Sequence, residues 1–292
     1  MTGTIIKSLS GFYYVSDGEE TVTCRARGRF RLDGTSPLVG DRVTVEKDGA
    51  GGGSVKEILP RRNRFIRPAV ANIDLLVMVA AAVNPVTDPY LVDRVSAMAA
   101  FHDCDFLLCV NKTDLNAGDE LFDIYSSSGV DVVRTSAQTH EGIEEVKRRL
   151  AGRISAFTGN SGVGKTSLLN ALDPTLCLKT GEVSQALGRG KHTTRHVELF
   201  PLPFGGYIAD TPGFGSFEVD QFEYIRPAQL QHCFPEFRPY LGQCRFNDCT
   251  HRSEPGCAVL SAVAEEKIHP SRHASYVRLW EQANTVKDWE IK

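Results

Sequence analysis

The stretch that decides the fold is Gly159-Asn160-Ser161-Gly162-Val163-Gly164-Lys165-Thr166. It fits the phosphate-loop pattern G-x-x-x-x-G-K-[ST] at every constrained position. Its glycines permit the tight curvature with which backbone N–H groups converge on phosphate oxygens at a helix N-terminus. Lys165 would contact the β- and γ-phosphates, and the Thr166 hydroxyl would ligate Mg²⁺. Residues 153–158 are predicted to form a strand and 166–172 a helix, which is the context that the motif requires.

A second motif, Asn111-Lys112-Thr113-Asp114, precedes the phosphate loop and predicts which base is bound. Guanine presents N1–H and its 2-amino group as adjacent donors, and the Asp114 carboxylate would accept from both. Asn111 would reach O6 or N7, and the aliphatic stem of Lys112 would cover the ring face. Ser136-Ala137-Gln138 would add a backbone N–H to O6. Because adenine would leave a buried carboxylate unpaired, we expect GTP rather than ATP.

A third motif, Asp210-Thr211-Pro212-Gly213, follows an apolar run and completes the nucleotide site. Asp210 would hold Mg²⁺ through water, and the Gly213 N–H would sense the γ-phosphate. Ordinary GTPases place the phosphate loop before the base motif, so the order here is inverted. The same sheet is still expected, since termini can be relocated to an exposed loop without removing strand pairings. We expect residues 214–222 to carry the nucleotide state into the C-terminal third.

The segment Gly188 to His196, between the phosphate loop and the third motif, offers groups that would close on the nucleotide. Thr194, or its neighbour Thr193, would ligate Mg²⁺. Phe214 stands where a water-orienting glutamine often follows the third motif, and its ring cannot polarise water. His192 is therefore our candidate for positioning the attacking water, and a solvated loop histidine is the alternative.

Near the C-terminus, three cysteines and a histidine have the spacing Cys244-x4-Cys249-x-His251-x5-Cys257. Three thiolates and one imidazole fit one closed tetrahedral Zn²⁺ site of structural type. Nothing in the sequence points to export, which favours a metal over disulfides. The remaining cysteines are isolated and are predicted to be buried: Cys24, Cys104, Cys109, Cys177 and Cys233.

The N-terminal residues form short alternating runs broken by Gly and Asp, a pattern typical of a small all-β barrel or sandwich. Arginines occupy alternate positions over residues 24–32, so they would share one face of a strand. Such a face suits an RNA phosphate backbone, with nearby aromatic side chains for stacking, although an ordinary solvated face is the alternative. A linker is predicted at residues 60–63, and the basic character extends into it through Arg61, Arg62, Arg64 and Arg67. The predicted RNA-binding residues are Arg25, Arg27, Arg29 and Arg31.

Composition divides the 292 residues into three predicted domains, at 1–62, 63–217 and 218–292. The central part alternates strands and helices, as in an α/β sheet, and the last part has helical periodicity around the Cys/His cluster. The formal net charge of −3 excludes a bulk polycation, so any nucleic-acid surface must be local. The longest apolar run is far short of the roughly 20 residues of a membrane span, and residues 1–10 show no targeting pattern. We expect a cytoplasmic protein, without membrane contact. The candidate strands of the central part are Ile73 to Val83, Phe106 to Val110, Val130 to Val133, Ile154 to Thr158, His196 to Phe200 and Tyr207 to Asp210.

Together these motifs resemble those of the bacterial small-ribosomal-subunit biogenesis GTPases of the RsgA family, also called YjeQ or YloQ. The resemblance covers essentially the whole chain, and besides the order of the motifs it depends on four segments. They are the loop from Gly159 to Ser167, Gly188 to His196, Asp210 to Phe214, and the Cys/His set. The resemblance implies an N-terminal OB-fold, a circularly permuted GTPase domain and a C-terminal zinc-binding domain. It also implies GTP hydrolysis that the small subunit stimulates, late maturation of that subunit, and contacts with 16S rRNA.

We therefore expect a monomeric GTPase that docks on the small subunit through its barrel and zinc domain, and that hydrolysis to GDP releases. One rival is a nucleotide-gated RNA-binding module in which hydrolysis is incidental. The other is a metabolic phosphate-loop enzyme such as a kinase, although no acceptor pocket is evident from the sequence.

Overall fold

The computed structural model describes residues 1–26, 30, 35–49, 51–66, 68–176, 197–210 and 224–286. Their strands build a five-stranded barrel and an open α/β sheet, and the last described segment is mainly helical. This confirms the predicted fold class. Within these residues no helix combines the length and the apolar character that crossing a membrane requires.

The barrel closes because its fourth strand pairs with both its fifth and its first. The first three strands form an antiparallel meander, and the third runs parallel to the fifth. Along the third strand Val22 and Cys24 point inward, while Arg25 is exposed, which is the alternation of a half-buried strand. The strands are β1 Thr2–Leu9, β2 Phe12–Ser16, β3 Thr21–Ala26, β4 Arg42–Lys47 and β5 Gly52–Ile58.

The prediction of one continuous strand over residues 24–32 is wrong. The strand β3 ends at Ala26, and Phe30 has helical backbone and a buried ring. The apolar side chain of Phe30 packs into the barrel core. Arg27, Arg29 and Arg31 lie outside the described residues.

The six described strands of the central sheet lie in the order β10 (Asp131–Thr135), β9 (Asp105–Asn111), β8 (Leu75–Ala81), β11 (Ile154–Thr158), β13 (Tyr207–Asp210) and β12 (Glu198–Pro201). All neighbours are parallel except β12 and β13. Its middle strand β8 is buried along its whole length, as expected for a strand that helices cover on both faces. Two short strands, β6 Arg64–Phe65 and β7 Val70–Ala71, precede it. The described helices between these strands are α1 Pro89–Phe101, α2 Asp119–Ser126, α3 Ile143–Leu150 and α4 Lys165–Leu172.

The barrel and the central sheet are joined both by strand pairing and by a shared core. Strand β1 pairs with β12 at Lys7 and Glu198, whose side chains form an ion pair at 2.8 Å. Beneath it, one apolar core continues from Ile5 in the barrel to Leu76 and Met78 in β8. The barrel is therefore an extension of the central sheet rather than a tethered module.

The predicted linker at residues 60–63 is a packed connection. Arg61 donates to both carboxylate oxygens of the fully buried Asp41, at 2.6 and 2.7 Å. Arg62 lies among three acidic side chains, of which Asp103 accepts from its Nε at 3.3 Å. Both guanidiniums therefore have acidic partners within the protein, while Arg62 is also exposed to solvent. Their part in an RNA-binding surface stays a prediction.

The C-terminal region has its own core of aromatic side chains around short helices. Phe234, Phe237 and Tyr276 stack with centroid distances of 4.9 to 5.5 Å. Ala97 of α1 joins this core and links it to the central domain. The helices are α5 Pro227–Leu230, two 3₁₀ turns at Gln231–Cys233 and Pro235–Tyr240, α6 Ala258–Ala264, and α7 Pro270–Thr285.

A fully buried arginine, Arg272 of α7, fixes this region to the central domain. Its guanidinium donates to Asp93 at 2.7 Å and Ser96 at 3.2 Å, both on α1. It also donates to both carboxylate oxygens of Glu236, at 2.7 and 3.1 Å. The Tyr125 hydroxyl of α2 donates to the same oxygen of Asp93 at 2.7 Å. The junction is therefore a buried polar network.

Candidate functional site

The phosphate loop lies between β11 and α4, as the motif requires, and two of its three glycines have no room for a side chain. Gly159 and Gly164 have φ angles of +139° and +95°. A Cβ atom on Gly159 would lie 2.2 Å from the Val79 carbonyl oxygen, and one on Gly164 would lie 2.4 Å from Asn111 Nδ2. The loop can therefore approach the neighbouring strands only with glycine at these positions.

The Lys165 side chain folds back over the loop and is 6% exposed. Its ammonium donates to the backbone oxygen of Gly159 and, at 2.8 Å, to that of Asn160. Burial lowers the pKa of Lys165 to about 8, because both acceptors are neutral and do not compensate for the lost hydration. A desolvated ammonium of this kind favours the approach of a phosphate anion.

Asn111, at the end of β9, ties the base motif to the phosphate loop. Its Nδ2 donates to the Val163 carbonyl at 2.9 Å, and its Oδ1 accepts from the Thr135 hydroxyl at 3.1 Å. The side chain is buried at 2% exposure. Two motifs that are far apart in sequence are thus held as one unit. The contact of Asn111 with O6 or N7 of guanine stays a prediction.

The Asp114 carboxylate is oriented before any base is present. The Ser136 hydroxyl donates to Asp114 Oδ1 at 2.6 Å and accepts from the Thr139 N–H at 3.1 Å. The Thr113 hydroxyl lies 3.0 Å from the Thr135 carbonyl oxygen and 2.7 Å from Glu141 Oε2, so its hydrogen-bond partners are other groups of the protein. Both hydroxyls stiffen the motif.

A cavity of about 460 Å³ brings the base motif and the phosphate-loop helix together. Lys112 lines it, with its ammonium on the backbone oxygen of Asn84. Sequence reasoning missed Asn84 and Glu141, and nothing local to either position signals them, since both contacts arise only from the fold. Other lining residues are Asn111, Asp114, Ala137, Gly164 and Ser167.

Part of the predicted nucleotide site lies outside the described residues: His192, Thr193, Thr194, Gly213 and Phe214, with the segments 188–196 and 214–222. Asp210 is the last residue of β13, which runs beside β11, and its side chain is not described. Their roles stay predictions.

The Cys/His cluster comes together as predicted. The ligand atoms of its four residues all lie within 4.8 Å of one another. A tetrahedral Zn²⁺ with Zn–S bonds of about 2.3 Å and a Zn–N bond of about 2.0 Å gives S···S edges of about 3.8 Å and N···S edges of about 3.5 Å. Cys244 and Cys257 Sγ are 3.8 Å apart, and His251 Nδ1 lies 3.5 and 3.4 Å from them. The donor set therefore fits zinc.

Neighbouring groups orient the ligands. His251 Nε2 lies 2.8 Å from the Gln231 side-chain oxygen, which can only accept, so Nδ1 presents its lone pair to the sulfurs. Glu254 accepts from the backbone N–H groups of Thr250, Arg252 and Ser253 and closes the loop before Cys257. Burial alone would raise the pKa of Glu254, but hydrogen bonds from the Thr250 hydroxyl and from the backbone N–H groups of Thr250 and Ser253 outweigh it and lower the pKa well below its usual range.

Of the predicted RNA-binding arginines, the structure describes Arg25. It is exposed, and its guanidinium lies 4.7 Å from the ring centroid of Phe12 on the adjacent strand. A cation on an aromatic face is compatible with an RNA contact and equally with a solvated surface. Its role stays a prediction.

Comparison with known proteins identifies the family to which this chain belongs. Residues 58–220 match the sequence profile described as RsgA GTPase, and residues 2–55 match the RsgA N-terminal domain. The chain belongs to the RsgA family of GTPases. Its circularly permuted order of motifs is thus a property of the family. A relative from Caldanaerobacter subterraneus, named small ribosomal subunit biogenesis GTPase RsgA, is 44% identical over 95% of this chain and 94% of its own.

Other members of the RsgA family agree over nearly the full length. A Bacillus cereus protein of the same name is 43% identical, over 98% of both chains. The crystal structure of YjeQ from Thermotoga maritima superposes with a TM-score of 0.85 at 37% identity, over 98% of this chain and 99% of that one. YloQ, described as a circularly permuted GTPase, gives a TM-score of 0.80 at 34% identity, over 98% and 96%.

Proposed function

We propose that this GTPase acts in late maturation of the small ribosomal subunit, which stimulates its turnover and which it contacts at 16S rRNA. The observation that carries the proposal is the cavity of about 460 Å³ between the base motif and the phosphate-loop helix. Asn111 donates to the Val163 carbonyl there, and this hydrogen bond holds the base motif with Asp114 beside the phosphate loop with Lys165. The names of the relatives support the ribosomal role. The division at residues 1–62, 63–217 and 218–292 belongs to the same proposal, with the barrel and the zinc region as docking surfaces.

Catalysis in this proposal depends on position and charge rather than on a covalent intermediate. Lys165 exchanges its carbonyl partners for phosphate oxygens, and the backbone N–H groups of the loop bind the same oxygens. Thr166, Asp210 and Thr194 (or Thr193) would hold Mg²⁺, which neutralises phosphate charge when it is bound. His192 would position the water.

The base assignment is tested with Asp114→Asn. An amide cannot accept from both guanine donors, but it can donate to the 2-oxo group of xanthine. We expect GTP affinity to fall about 100-fold or more and xanthosine triphosphate to be preferred. Asp119→Asn, on the exposed side of α2, is the matched control and should bind GTP normally. Unchanged GTP affinity of Asp114→Asn would show that this carboxylate does not read the base.

The alternative is a nucleotide-gated RNA-binding assembly factor in which hydrolysis is incidental. It is favoured by Phe214, which stands where a water-orienting glutamine is often found. His192→Ala, at the candidate water-positioning residue, decides between the two if it binds GTP but does not turn it over. A variant of this kind that still supports subunit maturation would favour the alternative, and one that fails in maturation would favour the GTPase.

A further inference from the structure

A second cavity, the knuckle pocket, lies beside the Cys/His cluster and has no part in nucleotide binding. It has a volume of about 560 Å³. Three of the four residues of the Cys/His cluster line it, so part of its wall is the candidate metal site. Its lining includes His232, Phe246, Asn247, Asp248, Cys249 and Trp280.

The residues between the first two ligands form the lip of the knuckle pocket. All four, 245–248, are exposed, and the Phe246 ring is 43% exposed. The neighbouring ligands Cys244 and Cys249 anchor this short loop at both ends. An aromatic ring held in water by a rigid loop loses little entropy when a flat partner stacks on it.

The rim of the pocket is polar and unpaired. Within the described part of the chain, the exposed side chains of His232, Asn247 and Asp248 make no hydrogen bond. Together they offer donors and acceptors around one exposed ring. An apolar peptide would bury these groups without partners, at a cost in affinity, whereas the edge of a nucleobase would satisfy them.

Two cations flank the aromatic walls. The Arg252 guanidinium lies 3.6 Å from the ring centroid of Trp280, and that of Arg245 lies 5.5 Å from that of Phe246. Cations beside stacking rings suit single-stranded nucleic acid, where each base is joined to a phosphate.

We propose that the knuckle pocket takes one unpaired base of single-stranded RNA, stacked on Phe246, with the adjoining phosphate near Arg245 or Arg252. The Asp248 carboxylate accepts from adjacent N–H donors, so guanine is preferred over adenine. The inference rests on the proposed function, because a small ribosomal subunit supplies such RNA.

The test uses the full zinc-loaded chain without nucleotide. The sequence has two tryptophans, and Trp289→Phe leaves Trp280 as the reporter. This protein is titrated with a five-nucleotide uridine RNA that carries one central guanosine or adenosine. We expect a change in Trp280 fluorescence on binding and tighter binding of the guanosine RNA. Phe246→Ala should weaken binding about tenfold, and Asp248→Asn should remove the preference for guanosine.

Two control variants separate this site from other surfaces. Val86→Ala, another exposed apolar position, should bind as the parent does. Phe12→Ala, in the barrel, should leave the Trp280 response unchanged. A Phe246→Ala protein with normal zinc content and unchanged RNA affinity would overturn the proposal, as would a response lost in Phe12→Ala alone. Failure of the proposed function is distinguishable, since it would show as GTP turnover indifferent to small subunits.

Discussion

Two regions of the molecule bury a cation, and they satisfy it differently. At the nucleotide site Lys165 is 6% exposed and contacts only backbone carbonyls. At the junction with the C-terminal region Arg272 is 0% exposed and lies between the carboxylates of Asp93 and Glu236. The first cation lacks an anion within the described part of the protein, and the second has two.

The pKa values follow from this difference. Burial lowers the pKa of Lys165 to about 8. Burial also opposes the charge on Arg272, but Glu236 and Asp93 outweigh it and raise the pKa of the guanidinium above its usual range. The cation at the junction is neutralised within the protein, whereas the cation that we propose to bind phosphate has neutral partners. Variants at both sites can test this distinction.

The largest effect is expected from loss of the zinc that the Cys/His cluster is predicted to hold. Cys257→Ser, or chelation of zinc, should unfold this region, since structural zinc contributes on the order of 10 kcal/mol to small domains. Zinc content and far-UV circular dichroism measure the change, and GTP binding should persist. Cys104→Ala removes a buried cysteine outside the cluster and should keep the zinc. A fully folded metal-free C-terminal region would contradict the prediction.

Arg272→Met should lower the free energy of unfolding by about 3–5 kcal/mol, because it leaves two buried carboxylates uncompensated. Adding Asp93→Asn and Glu236→Gln should restore part of the loss. Arg278→Met, on the same helix but stacked on Tyr90 at the surface, is the matched control and should cost under about 1 kcal/mol. Denaturant unfolding measures the free energy of unfolding of Arg272→Met, of the triple variant and of Arg278→Met. Equal losses of unfolding free energy in Arg272→Met and Arg278→Met would contradict the prediction that the buried arginine contributes more to stability.

Lys165 should make the stability of the nucleotide-free protein depend on pH. Its ordinary pKa of 10.5 is lowered to about 8, so between these values the folded state binds fewer protons than the unfolded chain. Its contribution to the unfolding free energy should therefore rise by about 2 kcal/mol from pH 8 to 10.5, and Lys165→Met should lack this rise. Saturating GTP should abolish the rise, because phosphate keeps the ammonium protonated. Parallel curves for the two proteins would refute the prediction.

The smallest effect is expected at the other junction, where the barrel meets the central sheet. The Lys7–Glu198 pair is partly exposed, at 21% and 30%, so Lys7→Ala should cost under about 1 kcal/mol. Ile5→Ala, in the core that the two parts share, should cost about 2–5 kcal/mol. Thermal unfolding of the two variants measures both losses. A greater loss of stability in Lys7→Ala than in Ile5→Ala would contradict this order.

What the sequence could predict was local. The strand–loop–helix context of the phosphate loop and the spacing of the zinc ligands follow from short-range patterns, and the structure confirms both the context and the clustering. The Arg272–Asp93 contact joins residues 179 positions apart, and no local pattern announces it. The end of β3 at Ala26 was missed because alternating arginines mimic a strand, whereas Phe30 has a helical backbone and a buried ring.

The most direct test of the proposed function is GTP turnover by the zinc-loaded protein, with and without purified small ribosomal subunits. We expect slow turnover by the protein alone, a clear increase with subunits, and no turnover of ATP in either case. A rate that subunits leave unchanged, or equal turnover of ATP, would contradict a guanine-specific GTPase that the small subunit stimulates.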